Sequence, residues 1–148
     1  MLSGFSNPPC AIRPVMVELK QNLQLYGGII MILFIQYPPC TTCQKAKKWL
    51  DSQGIVYTDR HIKEQNPSYE ELKAWYQRSG LPLKKFFNTS GLLYKSLNLK
   101  DKLPSMSEEE QLRLLSTDGM LVKRPILVTD QGILTGFKEA DWANLLHE

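Results

Sequence analysis

The sequence predicts a single α/β domain, and three observations support this fold class. The chain has 148 residues, of which 43% are hydrophobic and 22% charged, which is typical of one soluble domain. Between Ile29 and Asp59, an apolar strand, a helix and a second strand follow one another, and this spacing favours parallel strands with a right-handed crossover. A hairpin pattern near the C-terminus then indicates an added antiparallel pair.

Charge, hydropathy and cysteine count exclude several classes of protein. The formal net charge of +3 is too small to indicate a nucleic-acid-binding face. The longest apolar run, Ile29 to Ile35, is far shorter than the roughly 20 residues of a membrane-spanning helix, so we expect no membrane contact. Three cysteines make an odd count that does not suit a secreted disulfide framework. We therefore expect a reducing, cytoplasmic setting.

The first 30 residues differ in pattern from the rest of the chain. Proline pairs such as Pro8-Pro9 interrupt any regular periodicity there, and no turn chemistry ties the segment to a neighbour. We predict an N-terminal extension over residues 1–30, either loosely packed or upstream of the native start. The folded domain is predicted over residues 31–148.

The first predicted unit of the domain is β-α-β. The apolar run Ile29–Ile35 predicts a strand buried on both faces. Apolar residues at helical spacing predict an amphipathic helix over Thr41–Ser52, which Gly54 ends. A second strand is predicted over Ile55–Asp59.

Helices fill the middle of the chain. Ser68 with Glu71 and Ser107 with Glu110 form capping-box patterns, each ahead of an apolar periodic run, and predict two helices. The apolar residues of segment 82–102 indicate short packed helices rather than a linker.

The C-terminal part returns to strand patterns. Ile126–Val128 and Ile133–Leu134 predict a hairpin with a connection over residues 129–132. A last helix is predicted over Lys138–Leu146.

The motif that carries chemistry is Cys40-Thr41-Thr42-Cys43, between the first strand and the helix. The unpaired N–H groups and the dipole of a helix N-terminus favour a thiolate at Cys40, which would make it the attacking sulfur. Cys43 lies one helical turn on and could resolve a mixed disulfide formed at Cys40. The Thr41 and Thr42 hydroxyls are candidates for hydrogen bonds within the turn and for substrate contact.

Two other interpretations of the cysteine pair remain open. A structural zinc site would need two more ligands, and the other candidates are Cys10 in the extension and the isolated His61 and His147, which we expect to be exposed. We therefore predict no metal site. Alternatively, both cysteines are buried and inert, because free cysteine is often a core residue.

Arg124, directly before Pro125, is the second candidate feature. An X-Pro bond ahead of a strand can be cis and present its backbone to a neighbouring loop. If that loop holds Cys40, the guanidinium would stabilise a thiolate or a bound oxyanion. A solvated arginine at a strand entrance is the alternative.

Three segments of the sequence resemble the arsenate reductase (ArsC)/Spx family of thioredoxin-like proteins. These are the Cys40–Cys43 motif with its flanks, residues 88–99, and residues 121–128 around Arg124-Pro125. The resemblance implies a four-stranded mixed sheet, a helical insertion between the β-α-β half and the hairpin, and a cis Pro125 facing the cysteine loop.

The resemblance also implies three possible functions and two departures from the family pattern. Arsenate reductases of this family use further arginines at places that here hold Ser90 and Phe137. Spx-like regulators bind the C-terminal domain of the RNA polymerase α subunit, and Gly80 matches the region of their contact glycine. A CxxC pair resembles Spx and its redox relatives.

We therefore predict a thiol-disulfide redox protein with Cys40 as nucleophile, Cys43 as resolving thiol and Arg124 as stabilising cation. If the chain is an enzyme, it is an oxidoreductase. We expect no bound cofactor, with glutathione as a possible co-substrate, and glutathione, glutaredoxin, thioredoxin or a protein disulfide as the partner. The alternatives are a redox-sensing regulator that binds RNA polymerase α, and a glutathione/glutaredoxin-dependent arsenate reductase.

Overall fold

We analysed a computed structural model, which describes residues 25–26, 29–30 and 32–147. Most of the predicted extension over residues 1–30, Cys10 included, lies outside the described residues. Within that segment, Leu25–Tyr26 pairs antiparallel with Ile29–Ile30 in a separate two-stranded ladder.

The main sheet has four strands in the spatial order β2-β1-β3-β4. The strands are β1 (Ile32–Gln36), β2 (Tyr57–His61), β3 (Ile126–Val128) and β4 (Ile133–Thr135). β1 runs parallel to β2 and antiparallel to β3, and β3 is antiparallel to β4. The predicted α/β class, the mixed four-stranded sheet and the hairpin connection over residues 129–132 are confirmed.

The predicted bounds of three strands were wrong: β4 ends one residue later than predicted, at Thr135, and β1 and β2 differ by up to three residues. β1 begins at Ile32 rather than Ile29, because its pairing with β2 starts at Ile32 opposite Tyr57. β2 spans Tyr57–His61 rather than Ile55–Asp59. Ile55 is instead tied to the end of the preceding helix, since its N–H donates to the Leu50 carbonyl at 3.2 Å. The apolar pair at residues 55–56 therefore belongs to the turn, and the edge strand itself is largely polar.

The described residues form six α-helices. For three of them, a predicted boundary or capping box is confirmed. The first helix has the predicted bounds, and Gly54 follows its end at φ 68°. Capping boxes at Ser68 and Ser107 begin the second and fifth helices as predicted. The helices are α1 (Thr41–Ser52), α2 (Tyr69–Ser79), α3 (Leu92–Ser96), α4 (Leu99–Lys102), α5 (Glu108–Ser116) and α6 (Glu139–Leu146).

The helical insertion is packed, as predicted. It joins β2 to the hairpin through α2 to α5 and three 3-10 turns at Leu83–Phe86, Leu103–Ser105 and Gly119–Leu121. Among the described residues, none of the helices has the length and apolar character needed to cross a membrane.

The core has two parts, one on each face of the sheet. Phe34 of β1 packs with α1 and α6 on one face, where Trp142 is buried. Ile35 points to the other face and packs with the insertion, where Trp75 is buried. Alternation along β1 thus buries both faces of the strand, and its last residues hold the following turn in a fixed place.

Candidate thiol site

The cysteine motif lies where β1 turns into α1. Cys40 is the N-cap residue of α1 in extended conformation, and its N–H donates to the Tyr37 carbonyl at 2.9 Å. The Gln44 side chain donates to the Pro38 carbonyl at 2.9 Å, which ties the first turn of the helix back to the loop. Cys40 and Cys43 are both free thiols.

Cys40 is half-buried at the helix N-terminus, and the pKa of its thiol is lowered. Partial burial opposes ionisation, but hydrogen bonding to the sulfur from the Cys43 backbone and side chain, Arg124 and the Thr42 backbone outweighs it. The Cys40 side chain makes no capping hydrogen bond of its own in α1. The site therefore favours an anion at Cys40.

Cys43 has the opposite environment. Its side chain is completely buried, and burial together with the nearby Cys40 charge raises the pKa of its thiol to about 12. The Tyr37 backbone N–H donates to its sulfur at 3.4 Å and partly offsets this rise. While Cys40 is ionised, Cys43 therefore stays protonated and is closed to solvent.

Arg124 lies beside the two sulfurs. The Arg124–Pro125 peptide bond is cis, as the resemblance implied, and Pro125 is buried at the start of β3. The guanidinium carbon lies 4.9 Å from the centre of the Tyr37 ring. Its Nη1 atom is buried and has no hydrogen-bond partner among the described residues. A thiolate at Cys40 would offer that partner.

The other predicted site residues take less direct positions. Thr41 and Thr42 are exposed, and the contribution of Thr42 comes from its backbone N–H rather than from its hydroxyl. Gly80 is the exposed C-cap of α2 at φ 69°, a left-handed position that glycine favours. Its role as a polymerase contact stays a prediction.

The two positions at which the sequence departs from the arsenate reductase pattern lie in different settings. Ser90 is exposed in the loop before α3. Phe137 packs on Trp142, with ring centres 5.0 Å apart, as part of the apolar layer under α6. Neither position therefore supplies a second cation near Arg124.

Metal binding finds no support within the described residues. They contain no cluster of three or more His, Cys, Asp or Glu side chains that could hold a metal ion. His147 is exposed, as expected. The expectation that His61 is exposed was wrong: its side chain is only 26% exposed, because its ring packs edge-on to Tyr37 at 5.8 Å.

Sequence reasoning missed Tyr37 as part of the site. Its backbone contacts Cys43, and its ring lies between His61 and the Arg124 guanidinium. The available signal was an aromatic residue directly ahead of the Pro-Pro turn that leads to Cys40.

Sequence reasoning also missed a cavity of about 510 Å³ that adjoins the site. Arg124 forms part of its wall, together with Lys63, Ser90 and the start of α3. Three segments that are distant in the sequence meet there, so no local pattern could have found it.

A family model matches this chain. The match is to the ArsC family and covers residues 35–145, which include both cysteines and Arg124. The chain belongs to the ArsC family. The fold described above is shared with a solved structure related to that family.

Individual relatives carry different names. The chain is 58% identical over 108 residues to the uncharacterized protein YusI of Bacillus subtilis, covering 73% of this chain and 92% of that one. It is 32% identical over 114 residues to the regulatory protein MgsR of the same organism, covering 77% and 89%. The crystal structure of an ArsC-family-related protein from Bacteroides fragilis is 60% identical with a TM-score of 0.75, covering 77% and 96%. Other matches are named global transcriptional regulator Spx and arsenate reductase.

Proposed function

We propose that this chain is a thiol-disulfide redox protein in which Cys40 attacks a disulfide and Cys43 resolves the product. The observation that carries the proposal is the contrast between the two sulfurs. Cys40 is accessible with a lowered pKa, whereas Cys43 is buried with a pKa raised to about 12. A nucleophile needs the first environment, and a resolving thiol that must not react with outside partners needs the second.

In the first step, the Cys40 thiolate attacks one sulfur of the substrate disulfide. A bond forms between Cys40 and that sulfur, the substrate disulfide breaks, and the other substrate sulfur leaves as a thiolate that takes a proton from water. Arg124 and the N-terminus of α1 stabilise the attacking anion before the step.

In the second step, Cys43 loses its proton to water, and its thiolate attacks the Cys40 sulfur. The substrate sulfur that leaves takes up a proton from water in return. The negative charge on Cys40 has disappeared in the mixed disulfide, so one cause of the raised Cys43 pKa is removed. The Tyr37 N–H remains as a donor to the new thiolate. The second substrate sulfur leaves, and a Cys40–Cys43 disulfide forms, so that the substrate gains two electrons and the protein loses two.

Return to the dithiol requires a reductant. We propose a small thiol such as glutathione, or a dithiol protein of the glutaredoxin or thioredoxin type, as the electron donor. Glutathione then acts as a co-substrate rather than as a resident cofactor.

The test is reduction of a chromogenic disulfide by the reduced chain, followed by turnover with dithiothreitol as electron donor. We expect a stoichiometric burst of reduced product and the loss of two free thiols. Once dithiothreitol is present, we expect steady turnover at a rate above that of dithiothreitol alone. A reduced chain that leaves the disulfide intact while both thiols stay titratable contradicts the proposal.

Arsenate offered in place of the disulfide is expected to turn over poorly, because Ser90 and Phe137 supply no further cations.

A second candidate function is a redox-sensing regulator that binds the RNA polymerase α subunit. The observation in its favour is the 32% identity to the regulatory protein MgsR, together with matches named Spx. Capture of the polymerase α C-terminal domain by the purified chain tests it. Two results together would favour the regulator over the redox protein. The Cys40→Ser variant would still bind the polymerase domain, and the wild-type chain would show no disulfide reductase turnover.

A further inference from the structure

The cavity beside Arg124 has an apolar wall that the redox chemistry of the sulfurs does not explain. Leu92, Leu93 and Met120 line it together with the cations Arg124 and Lys63. Its volume of about 510 Å³ falls within the range of pockets that hold organic ligands. It is much larger than a tetrahedral oxyanion needs.

Leu92 is the most exposed part of this wall. Its side chain is 86% exposed in the first turn of α3, and among the large hydrophobic residues of the described ranges only Val56 has comparable exposure. A single exposed leucine is ordinary on a protein surface. Here it stands at the mouth of a cavity, next to the half-buried Leu93 and Met120, and together they form an apolar surface that a ligand would cover.

The charges around the cavity do not suit a dianionic ligand. Arg124 is already directed at Cys40, and Ser90 is neutral. Asp118 adds a carboxylate to the lining, which is held in place because it accepts a hydrogen bond from the Met120 N–H at 2.8 Å. Lys63 is then the cation left for a ligand, and the wall as a whole is mixed rather than strongly positive.

The cavity walls are fixed by the fold. The Asn88 N–H donates to the Leu121 carbonyl and the Lys123 N–H to the Phe86 carbonyl, both at 2.8 Å. Gly119 lies so close to the Ile62 carbonyl that a Cβ atom would meet its oxygen at 1.9 Å. These contacts join the segments on either side of the cavity, so its shape is present before a ligand binds.

We propose that the cavity binds an apolar side chain close to the disulfide cysteine of a partner protein. The inference rests on the proposed redox function and names its substrate class: a protein disulfide with an aliphatic flanking residue. The cysteine sulfur would reach Cys40 past Arg124, while the flanking side chain covers Leu92, Leu93 and Met120. The chemistry stays the same: Cys40 attacks the partner disulfide, and Cys43 then resolves the mixed disulfide.

The test uses two short peptides that differ in one residue. Each carries a single cysteine in a mixed disulfide with 5-thio-2-nitrobenzoate, and the residue beside the cysteine is Leu in one peptide and Asp in the other. In a reduced chain that carries Cys10→Ser, release of the coloured thiolate gives the rate of attack by Cys40. We expect the Leu peptide to react about tenfold faster, from burial of one aliphatic side chain.

Two variants assign the preference to the cavity. Leu92→Ser is expected to bring the two rates within about twofold of each other, because part of the apolar wall is lost. Val56→Ser is the matched control, because Val56 is a similarly exposed aliphatic residue, at 81%. It lies just before the start of β2, whereas the cysteine turn follows the end of the parallel strand β1, so Val56 is at the other end of the sheet. This variant is expected to keep the wild-type ratio.

The outcomes separate the two proposals. Equal rates for both peptides in the wild type, or a Leu preference that survives Leu92→Ser, overturns the substrate class while leaving the redox function in place. A mixed disulfide of glutathione with 5-thio-2-nitrobenzoate is the small-molecule comparison, because its leaving thiolate is the same. If it reacts faster than either peptide, and Lys63→Gln rather than Leu92→Ser slows it, the substrate class is overturned in favour of a small disulfide. No reaction with any of these disulfides refutes the redox function itself.

Discussion

Cys40 and Cys43, one helical turn apart, lie in opposite surroundings. Cys40 is half-exposed among N–H donors and a guanidinium, whereas Cys43 is enclosed in the packed layer on the inner side of α1. Helix geometry causes this difference, because the N-cap residue faces the turn and the third helical residue faces the core. The three-residue spacing therefore exposes the Cys40 sulfur to solvent and buries the Cys43 sulfur. Cys40 is thus placed to attack a substrate, and Cys43 is placed to resolve the mixed disulfide.

Replacement of either cysteine by serine should have the largest effect on disulfide reduction. The two variants should fail at different steps. Cys40→Ser is expected to reduce disulfide reduction to the uncatalysed background. In a Cys10→Ser background, Cys43→Ser should complete the first step and then stop at a mixed disulfide with the substrate, because no internal thiol remains to break it. Mass spectrometry of the trapped adduct checks this. An adduct on Cys43 in the Cys40→Ser variant would reverse the assignment.

Removal of the cation should have a smaller effect on Cys40 than removal of the sulfur. Arg124→Met is expected to raise the Cys40 pKa and slow alkylation at pH 6 by about tenfold, since a charge-assisted hydrogen bond to a partly exposed anion is lost. Arg124→Lys keeps the charge and should recover part of the rate. Iodoacetamide kinetics on a background with both Cys10→Ser and Cys43→Ser measure the two rates at Cys40. An unchanged rate in Arg124→Met would exclude the guanidinium from the site.

The contrast between the sulfurs should also appear in the pH dependence of stability. The fold favours the thiolate of Cys40, so this stabilisation is complete above the ordinary thiol pKa and is lost as the pH falls through the lowered value. The fold favours the neutral thiol of Cys43, so that stabilisation is complete below the ordinary value and is lost as the pH rises towards about 12.

Urea unfolding of the reduced chain between pH 7 and 11 checks these signs. Relative to Cys43→Ala, the wild type should lose at most about 1.4 kcal/mol of unfolding free energy per pH unit above about pH 9. Relative to Cys40→Ser, it should gain between neutral pH and about pH 9. Parallel curves for the wild type and both variants would mean that neither thiol is perturbed by the fold.

The smallest effect is expected at Tyr37, whose ring and backbone serve different sulfurs. Its ring contacts the Arg124 guanidinium and its N–H contacts Cys43. Tyr37→Leu should slow alkylation of Cys40 by about threefold, since a cation–π contact is worth about 0.5–1 kcal/mol. Tyr37→Phe keeps the ring and should match the wild type. Equal slowing in both variants would attribute the effect to the hydroxyl.

The elements predicted best were those fixed by local signals. The bounds of α1 followed from apolar spacing and Gly54, and both capping boxes were legible in the sequence. Strand ends were less predictable, because the limits of β1 and β2 depend on their mutual register rather than on either segment alone. The apolar pair Ile55-Val56 looked like a strand but serves the turn after α1.

The site was predicted unevenly for the same reason. The cysteine pair and its helix N-terminus are local, so the sequence indicated them directly. The approach of Arg124 to Cys40 was expected only through family resemblance, since the two residues are distant along the chain. The Tyr37 contacts and the cavity beside Leu92 depend on tertiary packing of separate segments. The sequence marked Tyr37 only as an aromatic residue ahead of the Pro-Pro turn, and it marked neither its partners nor the cavity.

The rate of Cys40 alkylation as a function of pH tests the central claim most directly. In a chain that carries both Cys10→Ser and Cys43→Ser, Cys40 is the remaining thiol, so a single titration curve should report its ionisation alone. The structure predicts a midpoint below the ordinary thiol value, with Arg124→Met moving it upward. A midpoint at or above that ordinary value, unchanged in Arg124→Met, would contradict the account.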